Sequence, residues 1–330
     1  MKRTISVIMA IVMMVILVGC GSNSAESTGA NKTDFKGTRL AMGTSSVSST
    51  YYILGTGWAE LMKNKLGVEV SIEATPGGIT NMQSMKSGDM DLGLTTCWLA
   101  GQGMDGTNWA NGTKYDTIRT MFPTHSSVMY IFTLASSGIN TIQDVEGKRV
   151  ACGAAGSTSG DAAPLVFDAL GIKPASYTGL SSTATCDALK DGTVDVGIGV
   201  TGIPASWLLD LETAKDIKII PLSDEDLKKI LADQPYWAAG KIPGGTYKNH
   251  ADDIPCIAYW NEAICNADMD ADLVYTMVKT TFENLETLKQ VDKNAAGIDV
   301  ANLDTMVMPL HPGALRYYEE IGVKIPDKLK

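Results

Sequence analysis

Apolar and polar residues alternate along this chain in two rhythms. Short apolar or alternating runs at residues 38–43, 68–74 and 90–95 fit strands, whose successive side chains face opposite sides. Between them, at residues 51–65 and 79–86, apolar residues recur three and four apart, as on one face of a helix. This order, β-α-β-α-β, predicts an open parallel sheet, because parallel neighbours need a long crossover. The same succession returns later, with a strand at 149–153, helices at about 160–170 and 182–190, and a strand at 193–200. Further strands are expected at 117–122, 128–134, 217–220 and 254–264, with 128–134 and 254–264 crossing between two halves. Helices are expected at 205–211, 224–232 and 273–288, with a helical turn at 142–145 and a short closing helix within 309–322. Residues 101–116 and 233–250 show neither rhythm; the first is a polar excursion around Trp109, the second is rich in Gly, Pro and aromatic residues.

The two halves repeat one another in wording as well as in rhythm. KGTRLAMG at 36–43 lies over EGKRVACG at 146–153, and SGDMDLGLTT at 87–96 resembles DGTVDVGIGV at 191–200. After each first strand comes a loop of small hydroxyl residues and then a helix: GTSSVSS at 43–49, GAAGSTSG at 153–160. A strand feeding such a loop into a helix start makes an anion cradle. The first amides of a helix lack internal partners, and the aligned peptide dipoles add about half a positive charge there. The expected architecture is therefore α/β, with two like lobes joined by crossing strands and a ligand-facing loop opening each. The expected lobes are 37–127, 128–256 and a return at 257–330 to the first.

The ends and the charge refine this picture. Lys2 and Arg3 precede an apolar run from Ile5 to Val18, and LVGC at 17–20 has the small-residue-then-cysteine ending of a bacterial lipoprotein signal. The run is short for a membrane span. Residues 1–20 are thus expected to be a signal peptide with Cys20 as the lipidated residue, which anchors the protein to a membrane through more than one acyl chain. Residues 21–36 are polar and read as a flexible tether. The net charge of −10 becomes −12 without Lys2 and Arg3, which argues against nucleic acid and against a polybasic membrane contact. Beyond Cys20, the cysteines Cys97, Cys152, Cys186, Cys256 and Cys265 are odd in number and in no zinc or redox spacing; buried thiols are the plain reading, and a disulfide stays open.

Four stretches, GTSSVSSTYYILG (43–55), TPGGITNMQSMKSGDMDLG (75–93), GKRVACGAAGST (147–158) and PLHPGALRYYEEIG (309–322), make the chain resemble a TAXI-type solute-binding protein of a tripartite ATP-independent periplasmic (TRAP) transporter. The family is usually richer in glycine where Ser45, Val47, Ser48 and Ser49 stand here. The resemblance implies a two-lobed fold of the type II periplasmic-binding-protein class, a small organic acid or amino acid as ligand, and TRAP permease subunits as the membrane partner. Glutamate or a related dicarboxylate is the leading ligand it implies. It implies no cofactor and no turnover chemistry.

The residues themselves offer few charged contacts for such an acid. Arginine is scarce, and Arg39 and Arg149 sit at equivalent strand starts, away from the carboxyl ends where ligands bind in such sheets. The expected binding residues are therefore hydroxyls and loop backbone: Thr44, Ser45, Ser48, Ser49, Gly77, Gly78, Gly156, Ser157, Thr158, Ser159 and Thr201. Aromatic walls are sought in Tyr52, Trp98, Tyr236 and Trp237. Helix ends alone fall short, since each contributes up to about 2 kcal/mol when partly buried and micromolar binding needs about −8 kcal/mol. GIGVTG at 197–202 fits a dinucleotide fingerprint, but its first glycines lie inside a strand and it has a non-nucleotide twin at 88–96. His125, His250 and His311 are not in metal-ligand spacing, and His311 reads as a structural hydrogen-bonding residue. Two other classes stay open: an enzyme on the same fold, favoured if His125 or His250 sits beside a cleft serine, and a sensory subunit that presents ligand to a receptor.

Overall fold

The structure, a computed structural model, describes residues 34–330. The leader at 1–20 with Cys20, and the tether up to residue 33, lie outside the described residues. The strands are β1 (Arg39–Gly43), β2 (Glu69–Glu73), β3 (Leu92–Thr96), β4 (Ile118–Leu134), β5 (Arg149–Cys152), β6 (Ser176–Thr178), β7 (Val196–Thr201), β8 (Ile217–Ile219), β9 (Trp237–Ile242) and β10 (Ile254–Asn266). The helices are α1 (Thr50–Leu66), α2 (Gly78–Ser87), α3 (Cys97–Asp105), α4 (Thr158–Leu170), α5 (Ser182–Lys190), α6 (Ser206–Ala214), α7 (Asp224–Leu231), α8 (Ala271–Glu283), α9 (Leu285–Val291) and α10 (Pro312–Glu320).

The sheet runs β2-β1-β3-β10-β4-β7-β5-β6, with β8 added to β4 and β9 to β10. At one end β1 lies between β2 and β3, all parallel; at the other β5 lies between β6 and β7, all parallel. The repeated wording thus encodes repeated connectivity. One detail recurs in both trios. Asp91, just before β3, accepts a hydrogen bond from Ala41 N and donates its own N–H to Ala41 O; Asp195, just before β7, does the same with Arg149. Arg149 adds an ion pair to Asp195 at 2.6 Å, and Arg39 one to Glu69 at 3.3 Å. Both arginines are therefore strand-end braces.

The antiparallel strands β4 and β10 join the trios. The early part of β10 pairs with β9, its later part with β3, and β4 runs beside it from Ile118 to Val128 before pairing with β7. Sequence rhythm suggests two strands here, at 117–122 and 128–134, but β4 is continuous. The polar residues between are ordered by pairing, Ser126 with Trp260 and Ser127 with Tyr259. The register shifts between Trp260 and Glu262, so Thr124 and His125 together oppose Asn261, a local bulge.

Three other expectations need correction. The excursion at 101–116 opens in α3, capped by Thr96, whose Oγ1 accepts from Leu99 N at 3.3 Å, and closed by Gly106 in the left-handed region. Residues 233–250 contain β9, which needs no apolar run because it is laid along β10 from Trp237 opposite Tyr259 to Ile242 opposite Ile254. The expected helix at 273–288 breaks at Asn284 (φ −126°), whose side-chain amide donates to Thr280 O at 2.8 Å and competes with the helix ladder. His311 caps α10 by accepting from Gly313 N at 3.1 Å. The five cysteines at 97, 152, 186, 256 and 265 are buried and free. Among the described residues no helix is long and apolar enough to cross a membrane.

Candidate ligand cleft

The starts of α1, α2, α3, α4 and α5 converge on one cavity of about 90 Å³. A buried water takes roughly 10–15 Å³ on the same measure, so the space suits one small molecule. Four of the starts are capped by hydroxyls: Ser49 accepts from Tyr52 N, Thr96 from Leu99 N, Ser157 from Gly160 N and Ser181 from Ala184 N. Each cap satisfies one amide and leaves the rest of its first turn without an intrahelical partner. The start of α2 has no side-chain cap; Gly77 precedes it at φ 147°, a conformation that glycine alone adopts readily. Among the described residues no Asp, Glu, Lys or Arg lines the cavity. Its polarity comes from helix ends and hydroxyls, which favour an anion.

The crossing strands supply a polar chain at the floor. Tyr51 at the start of α1 donates to Asn261 Oδ1. Asn261 Nδ2 donates to His125 O at 2.7 Å and to Ser127 Oγ at 3.0 Å, and Ser127 Oγ lies 3.2 Å from His125 Nε2. All four residues line the cavity and all are buried. Burial lowers the His125 pKa to about 3, so the imidazole is neutral near pH 7. Burial raises the Tyr51 phenol well above its usual value, helped by nearby Cys97 and Glu262, so it keeps its proton. Beside Asn261, burial lifts the Glu262 carboxyl to about 7; Thr120 donates to one of its oxygens, and the other has no partner among the described residues.

Of the residues expected to bind ligand, the structure brings Ser45, Ser49, Gly77, Gly78, Ser157, Thr158, Ser159 and Thr201 onto this one cavity. Both serine-rich loops therefore face a shared cleft. The other seven lie elsewhere, Tyr236 on the surface with its ring against Gly101. Thr44 is fully buried, its hydroxyl donating to Glu73 O. Ser48 faces Thr183 at the rim, 3.2 Å away. Gly156 sits behind the lining, its carbonyl accepting from Ile79 N at 3.2 Å. Tyr52 lies on a half-buried side of α1, and it is Tyr51 that turns inward. Trp98 and Trp237 are core rather than wall. The turn of the chain into α3 at Cys97 and the pairing of β9 with β10 stack their rings edge to face at 5.0 Å, against Tyr259. Ser157 also plays a different part from the one expected. Its Oγ donates to Ala154 O at 2.6 Å while accepting from Gly160 N, so the hydroxyl is committed to the loop. Tyr51, His125, Ser127 and Asn261 carry no local signal, because strand pairing across distant sequence assembles them.

The halves meet at the rim. Ser206 Oγ donates to Ser48 O at 2.8 Å, and Thr50 and Thr201 hydroxyls lie 3.2 Å apart. At Gly77 a Cβ would lie 3.2 Å from Ser157 Cα, and at Gly156 one would lie 2.6 Å from Thr80 Oγ1, so two glycines allow this approach. In the 197–202 motif, Gly197 packs on Phe132 and Gly199 on Trp207, a packing role that needs no nucleotide.

Comparison with known proteins agrees with this architecture. The model of the NMT1-like family matches residues 42–322. MatC from Rhodopseudomonas palustris, solved with bound malate, superposes with a TM-score of 0.56 at 12% identity, over 86% of this chain and 96% of its own. A putative L-cystine ABC transporter protein from Listeria monocytogenes gives a TM-score of 0.49 at 15% identity, over 79% of this chain and 96% of that one. The fold is that of the type II periplasmic solute-binding proteins.

Proposed function

Since the chain belongs to the NMT1-like family, we propose that it is an extracytoplasmic solute-binding protein that closes on a small carboxylate, glutamate or a related dicarboxylate, and delivers it to a TRAP-type membrane permease. The observation that carries the reading is the convergence of helix starts from both repeats on one cavity without charged side chains. The first repeat offers α1 and α2 and the second α4 and α5, so a ligand with two anionic groups bridges them. The hinge lies where β4 and β10 cross, near residues 123–127 and 259–262, between lobes spanning 37–127 with 257–330 and 128–256. Ligand favours the closed form by its differential affinity for it. The lipoprotein signal read at 1–20 supports a membrane-anchored, extracytoplasmic location, and the TAXI resemblance supports the choice of partner.

Isothermal titration of the purified protein with four- and five-carbon dicarboxylates tests this. Micromolar or tighter binding is expected, with at least a tenfold loss in Gly77→Ala, where a side chain meets the Ser157 backbone. Absence of binding by every acid would refute the reading.

A hydrolase reading has one observation in its favour, the His125–Ser127 pair at 3.2 Å inside the cleft. The chemistry is unfavourable. An imidazole with a pKa of about 3 is a weak base, and among the described residues no carboxylate orients it, because Nδ1 has no partner there. Ester substrates are expected to go unturned.

A further inference from the structure

The hydrogen-bond chain at the cleft floor reaches His125 through one ring nitrogen and leaves the other without a partner among the described residues. Tyr51 donates to Asn261, which identifies that atom as the amide oxygen and sets Nδ2 against the carbonyls of His125 and Tyr259. Nδ2 also reaches Ser127 Oγ. Ser127 Oγ also lies 3.2 Å from His125 Nε2, where it can give its single proton or accept one. A serine that donates makes Nε2 an acceptor and puts the proton of the neutral ring on Nδ1. Nδ1 is buried and has no hydrogen-bond partner among the described residues. His125 is 1% exposed and lines the cavity. An orphaned buried donor costs about 1–3 kcal/mol unless something accepts from it.

We infer that His125 is the specificity residue of the cleft: its Nδ1–H donates to an oxygen in the middle of the ligand, between carboxylates held by the helix starts of the two repeats. The inference rests on the binding reading above and narrows it. It favours a dicarboxylate bearing a 2-oxo or 2-hydroxy group. It disfavours a 2-amino group, because an ammonium would face the N–H of His125 and the positive ends of five helices, with no Asp or Glu in the lining to pair it. Glutamate, the ligand suggested by the resemblance, becomes the weaker binder.

Two matched series test this in titration calorimetry: 2-oxoglutarate, 2-hydroxyglutarate, glutarate and glutamate, and then malate, succinate and aspartate. The oxo and hydroxy acids are expected to bind at least tenfold tighter than the amino acid of the same length. His125→Phe keeps the ring edge against Tyr51 and loses the donor, so the preference for 2-oxoglutarate over glutarate should fall below threefold. Ser127→Ala frees the tautomer and should reduce that preference by a smaller factor. Nitrogen-15 spectra of the wild-type imidazole should show the proton on Nδ1, a readout that a purely structural histidine would not need to satisfy. Glutamate binding as tightly as 2-oxoglutarate, an unchanged preference in both variants, or a proton on Nε2 would each overturn the inference while leaving carboxylate binding intact. Failure of every acid to bind would instead remove the reading on which it rests.

Discussion

The two loops that open the repeats reach the same end by different means. Each makes a turn just before its helix, Ser49 N donating to Ser46 O in one and Ser157 N to Ala154 O in the other, and each then caps with serine. The first loop is held from outside. Asn81 Nδ2 donates to Thr44 O and to Leu94 O, both at 2.8 Å, while the single Thr75 Oγ1 proton is shared between Asn81 Oδ1 at 2.7 Å and Thr44 O at 3.0 Å. The second holds itself: Gly153 and Gly156 take left-handed conformations (φ 37° and 85°), and Ser157 folds its hydroxyl back on Ala154 O. One cradle depends on a buried amide from the neighbouring helix, the other on its own backbone. A repeated sequence thus keeps the geometry of the helix start while its supports diverge.

The largest effect follows from removing the outside support. Asn81 is fully buried, and Asn81→Ala takes the amide donor from Leu94 O and from Thr44 O, of which Thr44 O keeps the Thr75 hydroxyl. With two buried hydrogen bonds lost at about 1–2 kcal/mol each and a cavity left in their place, the loss of stability is expected near 3–5 kcal/mol. Urea unfolding would measure it, and a loss under 1 kcal/mol would break the contrast.

Next comes a difference in buried acids. In the second repeat Asp226 is buried but spent on structure, accepting from Ser223 at the start of α7 and from Gln143 Nε2. Glu262, at the crossing next to the first repeat, has one oxygen without a partner among the described residues and a pKa raised by burial from 4.5 to about 7. Between those pH values the folded state holds a proton that the unfolded state has released, so this group's contribution to stability falls as pH rises through that window. Glu262→Gln is therefore expected to stabilise the protein by on the order of 3 kcal/mol above pH 8 and to change little at pH 4. His125 acts with the opposite sign. Its pKa falls from 6.5 to about 3, so its contribution to stability is present above 6.5 and is lost as pH drops toward 3. Thermal melts of wild type and Glu262→Gln across pH 4–8 separate the two, and parallel curves would refute the assignment to Glu262.

The caps give a smaller contrast. Ser49→Ala removes one cap and should cost about 1 kcal/mol. Ser157→Ala removes a cap and the turn bond to Ala154 O together, and should cost up to about 2 kcal/mol. Equal losses in chemical denaturation would show that the second loop does not rely on its own serine.

Much of this was legible in the chain, and the gaps have a common cause. Both cradles, the parallel trios and the long crossing strand β10 are marked by local signals: an apolar run, a Gly/Ser/Thr loop, a helical stripe. What depends on distant pairing was not legible. Residues 124–127 look like a polar loop until β10 orders them, and β9 is irregular in composition until it lies along β10. The same long-range pairing assembles Asn261, His125 and Ser127 under the cavity and takes Trp98 and Trp237 out of it. Helix starts can be read from neighbours in sequence, whereas a floor made by two crossing strands cannot.

The smallest expected effect probes that boundary at a single turn of α1. The helical stripe suggests Tyr52 as a wall, yet adjacent helix residues point about 100° apart. It is Tyr51 that is buried, lines the cavity and donates to Asn261, while Tyr52 stays half-buried with no place in the lining. Tyr51→Phe strips the donor from Asn261 Oδ1, which loosens the reason for Asn261 to hold its orientation, and binding should weaken by about fivefold or more. Tyr52→Ala removes area from a partly solvated face, so the change in affinity should stay under about twofold and the change in stability near ±0.5 kcal/mol. If calorimetry instead ranked Tyr52→Ala as the more damaging, the cleft would be lined by the neighbouring face of α1, and the hydrogen-bond chain through Asn261 would lose its link to the ligand.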